Sequence, residues 1–558
     1  MARFWTRRFA AAVLVVLVVS ACLLGGGGLY AHAHAHDAPP GGRVSSVEEG
    51  AMEGVLVSAR AVETGAGVPV TVTVVSDRDG SFQFPTGKLR PGLYHIAIRA
   101  VGYELDAGAE LLVGAAGRPL DLRLRKTSDL AAQLTNTEWL MSTPGTAEQK
   151  RPLIECLSCH TYERIARSTQ NAGQMLPVLK RMVRYANNST MARVQTRIVE
   201  RGFDENGMLK LADYLASINL SGGAWSYALK TLPRPSGRAT RVVITEYDLP
   251  RKSIAPHDVI LGRDGALWYS NFTENFLGRL DPRTGVHTEF AYPEIKPGWP
   301  QGALSVEADS KGDLWLSTMF QTGLIKFDMK AKSFITFPLP AALNGDATGQ
   351  AMVMPARSHV DGKVWTTDVD KRTILRLDVK TGKYESIEPF KASPRSHFPY
   401  GLVADKANNL YFMDFGGEAL GRVDAKTLKV TLYATPTPRS RPRRSMIDGK
   451  GRIWFAEYAA NKLAMFDPKR EDITEWTAPT PHTYPYDVFM DRRETLWSGS
   501  MTSDRILRLD PKTNESVEYL LPRQTNVRRV HVDDRQKPVT FWTGSNHGAS
   551  IVGLTPLD

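Results

Sequence analysis

The sequence predicts a mainly β protein: a seven-bladed β-propeller, preceded by an N-terminal β-sandwich and a small α-helical domain. Three observations predict it. An aromatic residue recurs at Trp268, Trp315, Trp365, Tyr411, Trp454, Trp497 and Trp542, at intervals of 47, 50, 46, 43, 43 and 45 residues. A steady period of this size is the mark of propeller blades. Short alternating apolar runs fill residues 54–125, as half-buried strands do. Between 130 and 222 the apolar period becomes helical.

The chain has 558 residues, too many for one core, so three or four domains are expected. It is 42% apolar and 23% charged, an ordinary soluble balance. The net charge of +11 is spread along the chain, and its densest cluster is Arg439, Arg441, Arg443 and Arg444. Such a spread suits a solvated surface, or one that attracts an acidic partner or an anionic ligand. No nucleic-acid-binding motif is present, so no nucleic-acid partner is expected.

Residues 1–35 read as an export signal. Arg3, Arg7 and Arg8 precede an apolar run from Phe9 to Leu24, which is short for a membrane span. Ala31-His32-Ala33 and Ala33-His34-Ala35 offer small-x-small cleavage sites. Val19-Ser20-Ala21-Cys22 resembles a lipoprotein box. A periplasmic or secreted location follows, with membrane attachment only if Cys22 is lipidated. Simple cleavage is the preferred reading. It leaves two cysteines, and no structural disulfide if both carry a cofactor.

Residues 36–50, rich in Pro, Gly and Ser, read as a linker. In 51–127, Val70, Val72 and Val74 alternate with threonines, Asp77-Arg78-Asp79-Gly80 is a turn, and Phe82 and Phe84 share a face. Pro91-Gly92 is a further turn, and Tyr94, Ile96 and Ile98 alternate again. The stretch Asp79-Gly80-Ser81-Phe82, Pro91-Gly92-Leu93-Tyr94 and Gly102-Tyr103 resembles the carboxypeptidase regulatory-like domain. The resemblance implies a carbohydrate-binding-like sandwich fold and no particular activity.

Residues 130–223 carry Cys156-Leu157-Ser158-Cys159-His160. This C-x-x-C-H pattern is the attachment signature of haem c. The thiols of Cys156 and Cys159 can form thioethers to one porphyrin, and His160 can ligate its iron. A zinc ribbon would need a second cysteine pair, and the other cysteine is Cys22 in the leader. Leu176, Leu179 and Val183, then Leu211, Tyr214, Leu215 and Ile218, recur at helical spacing, and Asn219, Ser221 and Gly222-Gly223 stop the last helix. The segment resembles a small class I cytochrome c. That resemblance implies a distal Met, for which Met175, Met182, Met191 and Met208 are available. Met191, in a polar segment, stands ahead of Met182. No histidine lies between His160 and His257, which excludes bis-His ligation from within the segment.

The propeller is expected over 240–558. In six repeats an Asp follows the aromatic by thirteen positions: Asp281, Asp328, Asp378, Asp424, Asp467 and Asp510. The run Val242 to Tyr247 is expected to pair into the last blade and close the ring. Asp264-Gly265-Ala266-Leu267-Trp268 with Gly278-Arg279-Leu280-Asp281, and Gly451-Arg452-Ile453-Trp454-Phe455-Ala456-Glu457, resemble virginiamycin B lyase. The resemblance implies a seven-bladed propeller. In that family a magnesium ion, glutamates and a histidine base open a lactone by elimination. Pro256-His257 alone matches the histidine pattern, which makes His257 the candidate catalytic residue. Tyr400, Arg443 and Tyr486 stand at the equivalent positions of three other blades, and the magnesium glutamates find no counterpart.

Three residues past each aromatic stand Asn271, Thr318, Asp368, Asp414, Glu457, Ser500 and Ser545. His257, Arg443, Arg444, Arg528 and Arg529 start inner strands. One reading is a polar channel held by internal salt bridges. The other is a site where His257, Arg443 and Arg529 face Asp368, Asp414 and Glu457 and hold an anionic small molecule or Mg2+. The expected function is single-electron transfer to a redox partner protein by an exported monohaem c-type cytochrome, with the propeller as a ligand- or partner-binding platform. The alternative is a lyase or a haem-coupled oxidoreductase acting at the channel.

Overall fold

The structure is a computed structural model that describes residues 39–63, 65–114, 119–199, 202, 204–220 and 227–558. The export signal, Cys22 and the helix stop at Ser221 to Gly223 lie outside the described residues.

The sandwich is built from β1 (Gly41–Ser46), β2 (Gly50–Ala51), β3 (Leu56–Ala61), β4 (Val70–Val75), β5 (Ser81–Gln83), β6 (Gly92–Arg99), β7 (Tyr103–Leu105), β8 (Ala109–Val113) and β9 (Leu120–Lys126). One sheet runs β2-β1-β9-β7, with β5 also on β1, and the other contains β4-β3-β6-β8. Val57, Val72, Phe82, Phe84, Tyr94 and Leu122 fill the space between them. The expected linker at 36–50 is corrected here, because Gly41–Ser46 is a strand, parallel to β9. Its glycines serve close approach rather than flexibility: a Cβ on Gly42 would meet the Leu120 carbonyl oxygen at 2.1 Å. Strand β4 was expected to be half-buried, yet Thr71 and Thr73 are buried as well. Both its edges are paired, with β3 on one side and the propeller's opening strand on the other.

That opening strand, β10 (Val242–Asp248), pairs antiparallel with Ser550–Pro556 of the last blade over its whole length. Its other edge pairs with β4 from Ile244↔Thr73 to Tyr247↔Val70. The expected ring closure is therefore present, and the sandwich sheet continues through it into the last blade.

The helical segment between sandwich and propeller contains α1 (Asn136–Ser142), α2 (Ala147–Cys156), α3 (Tyr162–Ala166), α4 (Ala172–Met182) and α5 (Glu205–Ile218). Capping boxes start three of these helices, at Thr135 with Glu138, Thr146 with Gln149, and Asn171 with Gln174. Helix α5 buries Met208, Ala212, Tyr214, Leu215 and Ile218, one stripe at helical spacing. Trp139 stacks on Tyr162 with 5.9 Å between ring centroids, tying α1 to α3.

Blades 1 to 6 are four-stranded antiparallel sheets at 256–291, 306–338, 350–387, 399–434, 442–477 and 485–520. Blade 7 joins His531–Asp533, Thr540–Ser545 and Ser550–Pro556 to β10. Each recurring aromatic sits on its blade's second strand. In four blades its indole N–H donates to an aspartate at the preceding turn: Asp264, Asp309, Asp448 and Asp491. The aspartates thirteen residues later follow or end third strands and accept backbone N–H groups two or three residues on, as Asp328 does from Lys330 and Ala331. The spacing thus records a turn-closing hydrogen bond in six blades and a second one in four of them.

Candidate functional site

The Cys156 to His160 segment ends α2 as a tight turn. Cys159 N–H donates to the Cys156 carbonyl at 3.2 Å, and Ser158 N–H to that of Glu155 at 3.2 Å. Both cysteines are free thiols, half-buried. Burial pushes the Cys156 thiol up to about 12. His160 Nδ1 lies 3.1 Å from the Thr161 carbonyl oxygen. A carbonyl only accepts, so Nδ1 carries the proton and Nε2 keeps its lone pair. Burial lowers the His160 pKa, which favours that neutral form. Two thiols three residues apart and a histidine with its Nε2 bare fit a covalent haem.

The turn is docked on the propeller face where inner strands begin. Asn526 Nδ2 donates to the Leu157 carbonyl at 3.1 Å. Arg528 Nη2 donates to the Ser158 carbonyl at 2.5 Å, and His547 Nε2 lies 3.4 Å from the same oxygen. Glu155 pairs with Arg441 at 3.4 Å. Further out, Thr137 binds Thr502, and Asn188, Arg193 and Gln195 bind Gln301. Of the methionines, Met175 and Met208 are core residues at 5% and 8% exposure. Met182 ends α4 half-buried, and Met191 is 52% exposed.

Across the propeller axis, charged pairs link blades far apart in sequence. Arg444 of blade 5 binds Asp258 of blade 1 with both Nη atoms, at 2.9 and 2.7 Å. Burial opposes ionisation of Asp258, but the Arg444 guanidinium and the His257 hydrogen bond outweigh it and hold the carboxyl well below the usual range. Arg529 pairs with Glu307 at 2.6 Å and with Asp487 at 3.5 Å. Burial pushes both of those carboxyls up, against the pull of Arg529. His257 is fully buried, and its Nδ1 lies 2.8 Å from Asp258 Oδ1. Its Nε2 accepts from the Tyr486 hydroxyl at 3.3 Å, and Tyr486 in turn meets the Tyr400 hydroxyl. Burial takes the His257 pKa down to about 3, with Arg528 and Arg444 adding to it. A base so weak, with both nitrogens occupied, is poorly placed to take a proton from a substrate.

The constellation expected from the sequence is thereby corrected. Arg529 and His257 meet Asp258, Glu307 and Asp487, not Asp368, Asp414 and Glu457. Asp368 accepts the backbone N–H groups of Gly349, Asp370 and Lys371. Asp414 accepts those of Phe398 and Gly416, and binds His397 at 2.7 Å. Both carboxyl oxygens of Glu457 are buried without a hydrogen bond, and burial and nearby Glu475 push its pKa up to about 8. The three stand on second strands, one strand spacing (about 4.8 Å) further from the axis than the inner strands. The missed partners had a sequence signal: Asp258, Arg444 and Asp487 all stand ten residues before their blade's aromatic. Among the described residues no group of three or more His, Cys, Asp or Glu is arranged to hold a metal ion. The channel carboxylates are paired with guanidinium groups, so this donor set does not fit magnesium.

Ring closure and blade count define a seven-bladed propeller. Residues 236–509 match the virginiamycin B lyase family, so the propeller is a virginiamycin B lyase-like domain. A solved streptogramin B lyase is 21% identical over 57% of this chain and 99% of that chain, with a TM-score of 0.49. A selenomethionine-substituted virginiamycin B lyase from Staphylococcus aureus is 21% identical over 56% of this chain and 99% of that one, also at 0.49. No curated protein matches the chain.

Two outcomes are expected from these charges. Asp258→Asn leaves Arg444 buried without its counter-charge and lowers unfolding free energy by about 3–5 kcal/mol in urea titrations; unchanged stability would mean the pair carries no load. Glu457 has a folded pKa raised from 4.5 to about 8. Its protonated form is favoured in the fold, so stability is full below pH 4.5 and falls as pH rises to about 8. The melting temperature of Glu457→Gln, relative to the parent, should therefore climb between pH 5 and 8, and a flat difference would count against that assignment.

Proposed function

We propose that this chain is an exported c-type haem protein whose haem segment is mounted on a lyase-like propeller, and that it transfers single electrons to a redox partner protein. The observation that carries the reading is the C-x-x-C-H turn itself. Its thiols are unbridged, the His160 Nδ1–H is tied to the Thr161 carbonyl, and the turn's carbonyls are fixed by Asn526 and Arg528. Cys156 and Cys159 would hold the porphyrin by adding their S–H groups across its two vinyl double bonds, and His160 Nε2 would hold the iron. When bound, the haem supplies a one-electron redox couple. The chain's own residues fix the turn, keep water from one side of it through the α1–α3 core, and keep His160 neutral. Met182 or Met191 is proposed as the sixth ligand. Export rests on the leader at 1–35, with lipid attachment only through Cys22.

A second reading is favoured by where the turn docks. Because it meets the face where inner strands begin, a substrate oxidised at the channel mouth could pass electrons to the haem directly. Lactone elimination is the weaker alternative, since His257 is a poor base and the channel does not fit magnesium.

Protein matured in an oxidising compartment should keep a haem stain after denaturation, and Cys156→Ser should weaken or abolish it; haem extracted from the parent by acidic acetone would overturn the reading. The ferric protein should show a weak near-infrared sulfur-to-iron band that Met182→Ala or Met191→Ala removes. Absence of the band from the parent would exclude methionine ligation.

A further inference from the structure

Among the described residues, two guanidinium groups at the channel mouth are not ion-paired with a carboxylate. Arg443, half-buried, lies 3.6 Å from the Tyr486 ring centroid, 4.2 Å from Phe415 and 4.5 Å from Tyr458. Its Nη1 donates to Met501 Sδ at 3.5 Å, and its Nε is buried without a partner. Arg528, 4% exposed, donates to Asn526 Oδ1 at 2.7 Å and to the Ser158 carbonyl of the haem-attachment turn. Among the described residues neither forms an ion pair with a carboxylate. Asp258, Glu307 and Asp487 are engaged by Arg444 and Arg529, and Glu155 by Arg441 at the rim.

This separation of charge is unusual inside a channel. One residue deeper along the inner strand, Arg444 meets Asp258, whereas at the mouth Arg443 and Arg528 meet aromatic faces, a thioether and neutral oxygens. Aromatic faces attract a cation but accept few of the five N–H donors of a guanidinium. Burial and the charge of nearby Arg443 disfavour the charged form of Arg528. A planar carboxylate supplies both the missing charge and the missing acceptors, in the geometry a guanidinium matches.

We propose that the channel mouth binds a carboxylate through Arg443, with Arg528 supplying a second positive charge, beside the Cys156 to His160 turn. The carboxylate has two sources. It is a propionate of the haem held by that turn, which rests on the proposed function, or it is a free small carboxylic acid, which does not.

The test uses the full-length matured protein, Arg443→Gln and Arg443→Lys, with succinate as the free probe. If the haem's own carboxylate occupies the site, Arg443→Gln lowers the midpoint potential, Arg443→Lys lowers it less, and succinate leaves the parent's Soret band unchanged. If a free acid occupies it, succinate shifts the Soret band or raises the melting temperature saturably, and Arg443→Gln weakens that binding about tenfold or more, the loss of one charge-assisted contact. Arg443→Gln with unchanged potential and no succinate response in the parent overturns the proposal, whatever happens to the melting temperature. Protein without covalent haem would refute the proposed function alone, and the succinate melting series would then decide the site.

Discussion

The architecture depends on β10 being hydrogen-bonded along both edges. One edge closes blade 7, so the propeller's first strand is bonded to its last. The other edge receives β4, which makes the sandwich an extension of that blade. The helical segment leaves the sandwich after β9 and leads into β10, the strand on which the sandwich is paired. The segment docks on the face where inner strands begin. Asn526, Arg528 and His547, which hold the C-x-x-C-H turn, all belong to the last blade or the loop entering it.

Inside the ring, charge is ordered by depth. The Asp258–Arg444 and Arg529–Glu307 pairs are struts between blades on different sides of the axis, and their burial makes them sensitive to loss of either member. His257 is drawn into this framework through Asp258 and becomes a neutral, fully buried link to Tyr486 and Tyr400. At the mouth the balance reverses: arginines and aromatic rings gather beside the C-x-x-C-H turn. His257, the candidate base in sequence, is buried among Asp258 and Tyr486, while the position next to the turn holds the unsatisfied donors.

The lyase-like fold surrounds a channel whose charged groups are largely paired with one another. The blades keep the turn aspartates, the indole hydrogen bonds and the closing strand, which maintain the ring. The channel holds the paired ions Arg444–Asp258 and Arg529–Glu307, and His257 is buried with both ring nitrogens engaged.

Much of this was legible in the sequence. The aromatic period gave seven blades because the same buried aromatic recurs on each blade's second strand, in four of them bonded to its own turn aspartate. The alternation in 54–125 gave strands, the stripe from Leu211 to Ile218 gave α5, and C-x-x-C-H needs no tertiary partner to be read. These are local rules, set within one turn, strand or helix. Tertiary structure decided what sequence distance hides. Gly41 and Gly42 looked like a linker until a neighbouring backbone came within contact of them. Asp368, Asp414 and Glu457 looked like the arginines' partners until their place on second strands set them a strand away from the axis. Asp258 and Arg444 meet because blades 1 and 5 face each other across a ring, and that ring exists only once its first strand has bonded its last.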